Sequence, residues 1–114
     1  MNEAHQKLLA SPEWAAFLHE EVLPVVTQGV DLGSDLLEIG PGPGAATEWL
    51  RHRVSRLVAL ELEEGAAARL GTRFAGTNVA AVAGDATALA CPDGSFDTVA
   101  IVGDRLLFRA RKPA

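Results

Sequence analysis

Three glycines on alternate residues, Gly40, Gly42 and Gly44, separate an apolar run from a segment with helical spacing, in the stretch LLEIGPGPGAATEWL (residues 36–50). Glycine allows a positive φ and lets the backbone approach a ligand without a Cβ in between. The free N–H groups at the start of the following helix are able to meet negative charge on that ligand. A tight connection from strand to helix also needs glycine for its geometry, so the turn alone fits both a ligand site and a structural turn.

Acidic residues stand at the ends of three successive predicted strands, Glu38, Glu61 and Asp85. Glu61 follows the first glycine at the spacing where a carboxylate accepts hydrogen bonds from both ribose hydroxyls of a nucleotide. Asp85 is placed to accept a bond from an exocyclic amine, and Glu38 to favour a cationic amine, directly or through water. Each acid alone also fits a solvated strand end, but three in succession favour a ligand with an amine, a ribose and an adenine.

A nicotinamide dinucleotide is the first alternative ligand. Gly40, Gly42 and Ala45 satisfy the G-x-G-x-x-G/A fingerprint, and Glu61 follows at the distance that this fingerprint requires. Neither the acid before the first glycine nor the Gly-Asp-Ala sequence at residues 84–86 belongs to the fingerprint. An NAD-binding Rossmann protein therefore stays open as an alternative.

From residue 36 onward, short apolar runs alternate with segments of helical spacing. These runs and segments predict the strands and helices that position the glycines and the acids. The runs LLEI, RLVALE, NVAAVA and FDTVAIV predict four strands, and AATEWLRHR and EEGAAARLGTRF predict helices after the first two. Continuous apolar strands separated by helices are typical of a parallel sheet covered on both faces. Before them, Ser11-Pro12-Glu13 predicts the start of an amphipathic helix that Pro24 kinks or divides. The expected fold class is α/β, a half-Rossmann unit with an N-terminal helix and a parallel sheet of about four strands.

The motifs resemble those of the class I S-adenosylmethionine-dependent methyltransferases. LLEIGPGPG, LVALELEE, VAGDATAL and CPDGSFDTVAI stand in that family's order and spacing over about residues 34–102. They look most like the broad bacterial branch that modifies small molecules. The resemblance implies the strand order 3-2-1-4, S-adenosylmethionine as the cofactor, and an unidentified small-molecule methyl acceptor as the partner.

The resemblance also implies how the chain holds the methionine part of the cofactor. The turn formed by Gly40, Gly42 and Gly44 faces that part, and Glu38 helps to hold its amino group. The methyl group already sits on a positive sulfur, so the protein's task is to align the acceptor and exclude water. No catalytic residue is therefore named.

At the adenosine end, the resemblance implies a further set of contacts. Glu61 binds the ribose hydroxyls, Leu62 packs on the adenine, and Asp85 with the Ala86 amide binds the edge of the adenine. These four residues follow the second and third predicted strands.

The ribosomal RNA adenine methyltransferases are a second branch that the sequence resembles, through EIGPG and VALELEE. That branch carries an Asn-Ile-Pro-Tyr type motif after strand four, where this chain has Val102, Gly103, Asp104 and Arg105. The net charge is −5, of which residues 103–114 carry +3 and the remainder −8. Such an acidic body is a poor candidate for binding a phosphate backbone, so no nucleic-acid partner is predicted.

Cysteine and histidine usage indicates neither a disulfide nor a metal site. Cys91 is the single cysteine, which fits a reducing cytoplasm, the predicted location. His5, His19 and His52 show no ligand spacing with one another or with that cysteine. No apolar run approaches the ~20 residues of a membrane span. The N-terminus also lacks the basic start and apolar stretch of a secretory signal.

The resemblance covers the first four of the family's seven strands, which supply the cofactor half. Residues 1–114 are interpreted as one incomplete domain, with residues 103–114, GDRLLFRARKPA, as an atypical basic tail. Strand four would then be an exposed apolar edge, which predicts a homodimer through it unless the tail forms a helix that covers it. A truncated, inactive cofactor-binding fragment is the alternative to an active enzyme.

Overall fold

The computed structural model describes residues 3–88, 95–102 and 107–111, and a five-stranded sheet forms its centre. The strands are β1 (Asp35–Ile39), β2 (Arg56–Glu61), β3 (Val79–Ala83), β4 (Thr98–Val102) and β5 (Leu107–Arg111). Their order across the sheet is β3-β2-β1-β4-β5. The first four strands are parallel, with Ile39 opposite both Leu60 and Ile101, which confirms the predicted half-Rossmann sheet of order 3-2-1-4. Cys91 and residues 103–105 lie outside the described residues.

A fifth strand departs from the four that the sequence predicts. β5 pairs antiparallel with β4, with Leu107 opposite Val102 and Arg111 opposite Thr98. The expectation that strand four forms an exposed edge is therefore wrong, whereas the homodimer itself stays a prediction. A helix over strand four is also wrong for residues 107–111.

The N-terminal region is helical and runs through Pro24. Its helices are α1 (Glu3–Leu9), α2 (Pro12–Phe17) and α3 (Leu23–Val26). Ser11 caps α2 as predicted, because its Oγ accepts the Trp14 N–H over 3.1 Å. A π-helical turn at Leu18–Val22 joins α2 to α3. Proline lacks an N–H and crowds the preceding turn, so the wider turn just before Pro24 accommodates it without ending the helix.

The helices place the main core on one face of the sheet. The remaining helices are α4 (Ala45–Leu50), which continues into a 3₁₀ turn at Arg51–Arg53, and α5 (Glu64–Arg73), which packs beside β2 and β3. The buried residues of this core are Leu18, Leu23, Leu32, Leu36, Ala45, Ala46, Leu50, Leu57, Ala59 and Ala100. Within the described segments, no helix is long and apolar enough to cross a membrane.

Asp97 joins the amino ends of β1 and β4. Its Oδ2 accepts the backbone N–H groups of Ser34, at 2.8 Å, and of Asp35, at 3.0 Å. The close approach requires glycine at position 33, since an added Cβ there would lie 2.4 Å from the Asp97 Cβ. This contact holds β1 in register with β4. The register of β1 in turn determines where its carboxyl end places the glycine turn.

Candidate cofactor site

The glycine turn, defined as Gly40–Gly44, connects β1 to α4 at the carboxyl edge of the sheet. Its three glycines have φ values of 67°, 59° and 99°, which an L-residue rarely adopts. A Cβ added at Gly40 or Gly42 would have no described heavy atom within 4 Å. Two of the three predicted ligand-facing glycines therefore expose their backbone to open space.

Glycine is required at position 44 for a different reason, which is close packing against α5. A Cβ there would lie 2.8 Å from Cε2 of Phe74 and 3.1 Å from Cδ2 of Leu70, both on or just after α5. Arg73, the last residue of α5, donates from Nη1 to the carbonyl oxygen of Pro43. The end of α5 therefore packs against the turn and anchors it. The predicted contact of Gly44 with a ligand stays a prediction, because packing already explains its glycine.

Glu61, at the end of β2, lies against the glycine turn. Its Oε2 accepts the N–H of Gly42 over 3.4 Å, a long hydrogen bond. The backbone places it there, because the Gly40 N–H donates to the Leu60 carbonyl at 3.0 Å and the Gly84 N–H to the Glu61 carbonyl at 2.9 Å. The structure therefore brings together the turn and the acid that the sequence predicts to share one ligand.

Glu38 lies beneath the turn, with none of its side chain exposed. Its Oε1 accepts the hydroxyl of Thr47, on α4, over 2.5 Å, while Oε2 has no hydrogen-bond partner among the described residues. Burial raises the pKa of this carboxyl from 4.5 to about 7, the Thr47 bond opposes that rise, and the negative charge of Glu61 adds to it. A ligand cannot touch Glu38 in this conformation, so the carboxylate acts on one through its field or a bridging group.

Asp85, Ala86 and Leu62 lie at the ends of β3 and β2. The Oδ1 atom of Asp85 accepts the N–H of Thr87, at 2.9 Å, and its hydroxyl, at 2.7 Å, and these bonds lower the pKa of the exposed carboxyl. Ala86 begins the 3₁₀ turn that Asp85 caps. Leu62 is 70% exposed, so its apolar side chain is available to a ligand.

Three residues that hold the site together are missing from the sequence predictions: Thr47, Arg73 and His19. His19 lies in the π-helical turn, and its Nε2 is 2.6 Å from the carbonyl oxygen of Ala45, the first residue of α4. These bonds span 9, 30 and 26 residues, respectively. Only the packing of α4 against β1, α5 and the N-terminal helix reveals them. In the described part of the chain, no three His, Cys, Asp or Glu side chains form a group that could hold a metal ion.

Comparison with known proteins assigns the family. Residues 36–113, which include the glycine turn, Glu61 and Asp85, match the family described as a methyltransferase domain. The chain belongs to this methyltransferase family. Methyltransferases of this kind are S-adenosylmethionine-dependent.

Curated relatives share short, highly similar segments with this methyltransferase. One segment of 40 residues is 55% identical to the ribosomal RNA small subunit methyltransferase A of Acidobacterium capsulatum and covers 35% of this chain and 14% of that protein. A segment of 44 residues is 52% identical to the protein of that name from Geobacter metallireducens, over 37% of this chain and 16% of that one. The matched segments of this methyltransferase thus span less than a fifth of the length of either relative.

Solved structures share its fold. The crystal structure of the 23S rRNA methyltransferase ErmE superposes with a TM-score of 0.57 at 18% identity, over 80% of this methyltransferase and 45% of that chain. A dimethyladenosine transferase from Plasmodium falciparum gives a TM-score of 0.56 at 14% identity, over 80% and 41%. At these identities the likeness shows the α/β methyltransferase fold.

The described residues of this methyltransferase fit S-adenosylmethionine. Gly40 and Gly42 present backbone to open space, which would let the methionine part approach closely. Glu61 places a carboxylate beside the turn, where it would be an acceptor for the hydroxyls of the ribose. Glu38 supplies a buried, unpaired carboxylate oxygen, which favours a cationic amine on the ligand side of the turn.

Proposed function

We propose that this chain binds S-adenosylmethionine across the carboxyl ends of β1, β2 and β3 and supplies the cofactor half of a methyltransferase site. The observation that carries the proposal is the 3.4 Å approach of the Glu61 carboxylate to the Gly42 amide, beside a turn whose backbone is open. A carboxylate at this place meets a nucleoside's ribose while the turn meets the rest of the molecule.

Three residues complete the adenosine side of the proposed site. Leu62 offers its exposed aliphatic side chain as an apolar contact for the face of the adenine. The two bonds to Thr87 fix the orientation of the Asp85 carboxylate. Its lowered pKa keeps it ionised, so it is able to accept a hydrogen bond from the exocyclic amine of the adenine. The Ala86 amide follows directly in the chain.

At the methionine end, the chain's residues orient the ligand and do not react with it. The glycine turn holds the backbone close to it, and the field of the ionised Glu38 favours its ammonium group. When bound, S-adenosylmethionine supplies a methyl group on a positively charged sulfur, which needs no activation by an acid or base. The protein's contribution to the rate is therefore alignment of an acceptor and exclusion of water.

Calorimetric titration tests the cofactor assignment. S-adenosylmethionine and S-adenosylhomocysteine are titrated beside NAD, and the adenosyl ligands are expected to bind more tightly. Glu61→Ala should weaken them by about 1.5–3 kcal/mol, the scale of hydrogen bonds to a charged group. Glu64→Ala is the matched control, since it removes the same charge from an exposed position three residues later. Tighter binding of NAD, or equal affinities for the two variants, would contradict the assignment.

A small molecule is the acceptor we propose. Five acids lie on or just after the strands at this edge: Glu38, Glu61, Glu63, Glu64 and Asp85. Like charge would repel a phosphate backbone from this edge. Ribosomal RNA is the second candidate, because both curated relatives carry the name of a ribosomal RNA methyltransferase.

An assay for S-adenosylhomocysteine separates the two acceptors. Small hydroxyl, amine, thiol and carbon acceptors are compared with a ribosomal RNA fragment, and Glu61→Ala serves as the blank. Because this chain supplies the cofactor half of the site, any turnover is expected to be slow and to occur with the small acceptors. Turnover with RNA alone, lost in Glu61→Ala, would assign the acceptor to RNA while leaving the cofactor assignment intact.

A further inference from the structure

The contact between Glu38 and Thr47 joins β1 to α4 directly beneath the glycine turn. Both side chains have no exposed surface, and the Thr47 hydroxyl donates to Glu38 Oε1 over 2.5 Å. A buried carboxylate with one bonded oxygen is held in a single orientation, because rotation would break its only hydrogen bond. The orientation leaves Oε2 as the oxygen without a partner.

We propose that Thr47 is a positioning residue whose hydroxyl holds Glu38 in its ionised form and so sets the pH above which the cofactor binds well. The inference rests on the proposed function, in which the Glu38 carboxylate favours the ligand's ammonium group. A protonated Glu38 lacks the charge that favours the ammonium, so binding strengthens as pH rises through the titration of this carboxyl. The Thr47 bond favours the ionised form and moves that rise to lower pH.

The pH response of Glu38 depends on the charged and titratable side chains of the elements packed around it. On β2, Glu61 adds a negative charge that opposes ionisation of Glu38. From the N-terminal helix, His19 reaches the Ala45 carbonyl, and from α5, Arg73 reaches the Pro43 carbonyl. The strand neighbours of Glu38 are alanines, Ala59 on β2 and Ala100 on β4, and carry no charge. Thr47 is the residue that bonds the carboxylate itself.

The first measurement uses the protein without cofactor. Glutamate labelled with carbon-13 at the side-chain carboxyl reports each carboxyl's titration by NMR, and Glu38→Gln identifies the Glu38 signal. Thr47→Val, which replaces the hydroxyl by a methyl of similar size, should raise the titration midpoint by about one pH unit. Thr47→Ser, which keeps a hydroxyl, should restore it. An unchanged midpoint in Thr47→Val would overturn the positioning role.

The second measurement is the affinity for S-adenosylhomocysteine from pH 5.5 to 8.5. The rise in affinity with pH should move to higher pH in Thr47→Val by the same amount as the NMR midpoint. The comparison at each pH cancels the ligand's own titration. Thr72→Val is the control for loss of a threonine hydroxyl, since the Thr72 hydroxyl donates to the carbonyl of Ala68 in its own helix and is exposed. His19→Asn tests the imidazole that contacts the carbonyl of Ala45, the first residue of α4.

The two measurements distinguish a failure of the proposed function from a failure of this inference. If the wild-type chain binds no adenosyl ligand at any pH while Thr47→Val still shifts the Glu38 titration, the proposed function fails and the Glu38–Thr47 coupling stands. If the ligand binds with a pH dependence that Thr47→Val leaves unchanged, the proposed function stands and this inference is wrong. A profile that follows His19→Asn instead assigns the pH response to the histidine and overturns it as well.

Discussion

Gly44 and Phe74 approach each other so closely that a Cβ added to Gly44 would lie 2.8 Å from Cε2 of the phenylalanine ring. The contact locks the glycine turn to the end of α5. Gly44→Ala would combine this clash with a φ of 99°, so we expect a loss of about 2–4 kcal/mol in the free energy of unfolding. Urea unfolding measures it. In a Phe74→Leu background the same substitution should cost less, and an equal cost in both backgrounds would show that the ring is not the obstacle.

Gly42 and Gly76 allow a matched test of the ligand role of the turn. Both have positive φ, 59° and 78°, and an added Cβ meets no described atom within 4 Å at either. Replacement by alanine should therefore cost each variant a similar backbone strain of about 1–2 kcal/mol. Gly42→Ala alone should also weaken S-adenosylhomocysteine binding, by about tenfold or more, because its Cβ enters the space proposed for the ligand. Equal affinities of the two variants would remove Gly42 from the site.

Ionisation of Glu38 opposes folding. Its pKa is raised from 4.5 to about 7 by burial, so between these values the folded chain holds a proton that the unfolded chain has lost. The free energy of unfolding therefore falls as pH rises through this window, by on the order of 3 kcal/mol by pH 8. Glu38→Gln should flatten the dependence and be more stable than the wild type at pH 8, while binding the cofactor less well. Urea unfolding at pH 5 and pH 8 checks this, with Glu64→Gln as the exposed control. A variant that keeps the wild-type pH dependence would assign it to another group.

Asp97 should matter for stability and not for cofactor affinity. It accepts two backbone N–H groups at the amino end of β1, on the edge of the sheet opposite the glycine turn. Asp97→Ala leaves both donors unpaired, and we expect a loss of about 2–3 kcal/mol in the free energy of unfolding. Asp97→Asn, which keeps one acceptor, should lose less. Thermal unfolding with parallel ligand titration tests both halves of this prediction, and a selective loss of affinity would contradict it.

The sequence predicts the parallel sheet well because both of its signals are local. The apolar run RLVALE coincides with β2, Arg56–Glu61, and the glycine-rich stretch permits the positive φ values of the connection to α4. The partners of the site residues are not local. Nothing in the spacing shows that Thr47 bonds Glu38 or that α5 fills the space beside Gly44, since both depend on how helices pack on the sheet. The sequence does not predict β5 either, because its formation depends on pairing with β4 and not on its own five residues alone.

The two edges of the sheet differ in their chemistry. β3, at one edge, is the uncharged segment VAAVA, whereas β5, at the other, contains Arg109 and Arg111. Charged residues discourage strand addition, and small apolar residues permit it. If another copy adds a strand to this sheet, we therefore expect it to pair with β3. If two copies paired through β3, both β3 edges would be covered, and β5 with its arginines would form the two outer edges. Such an assembly would stop at a pair and would not extend into a fibre.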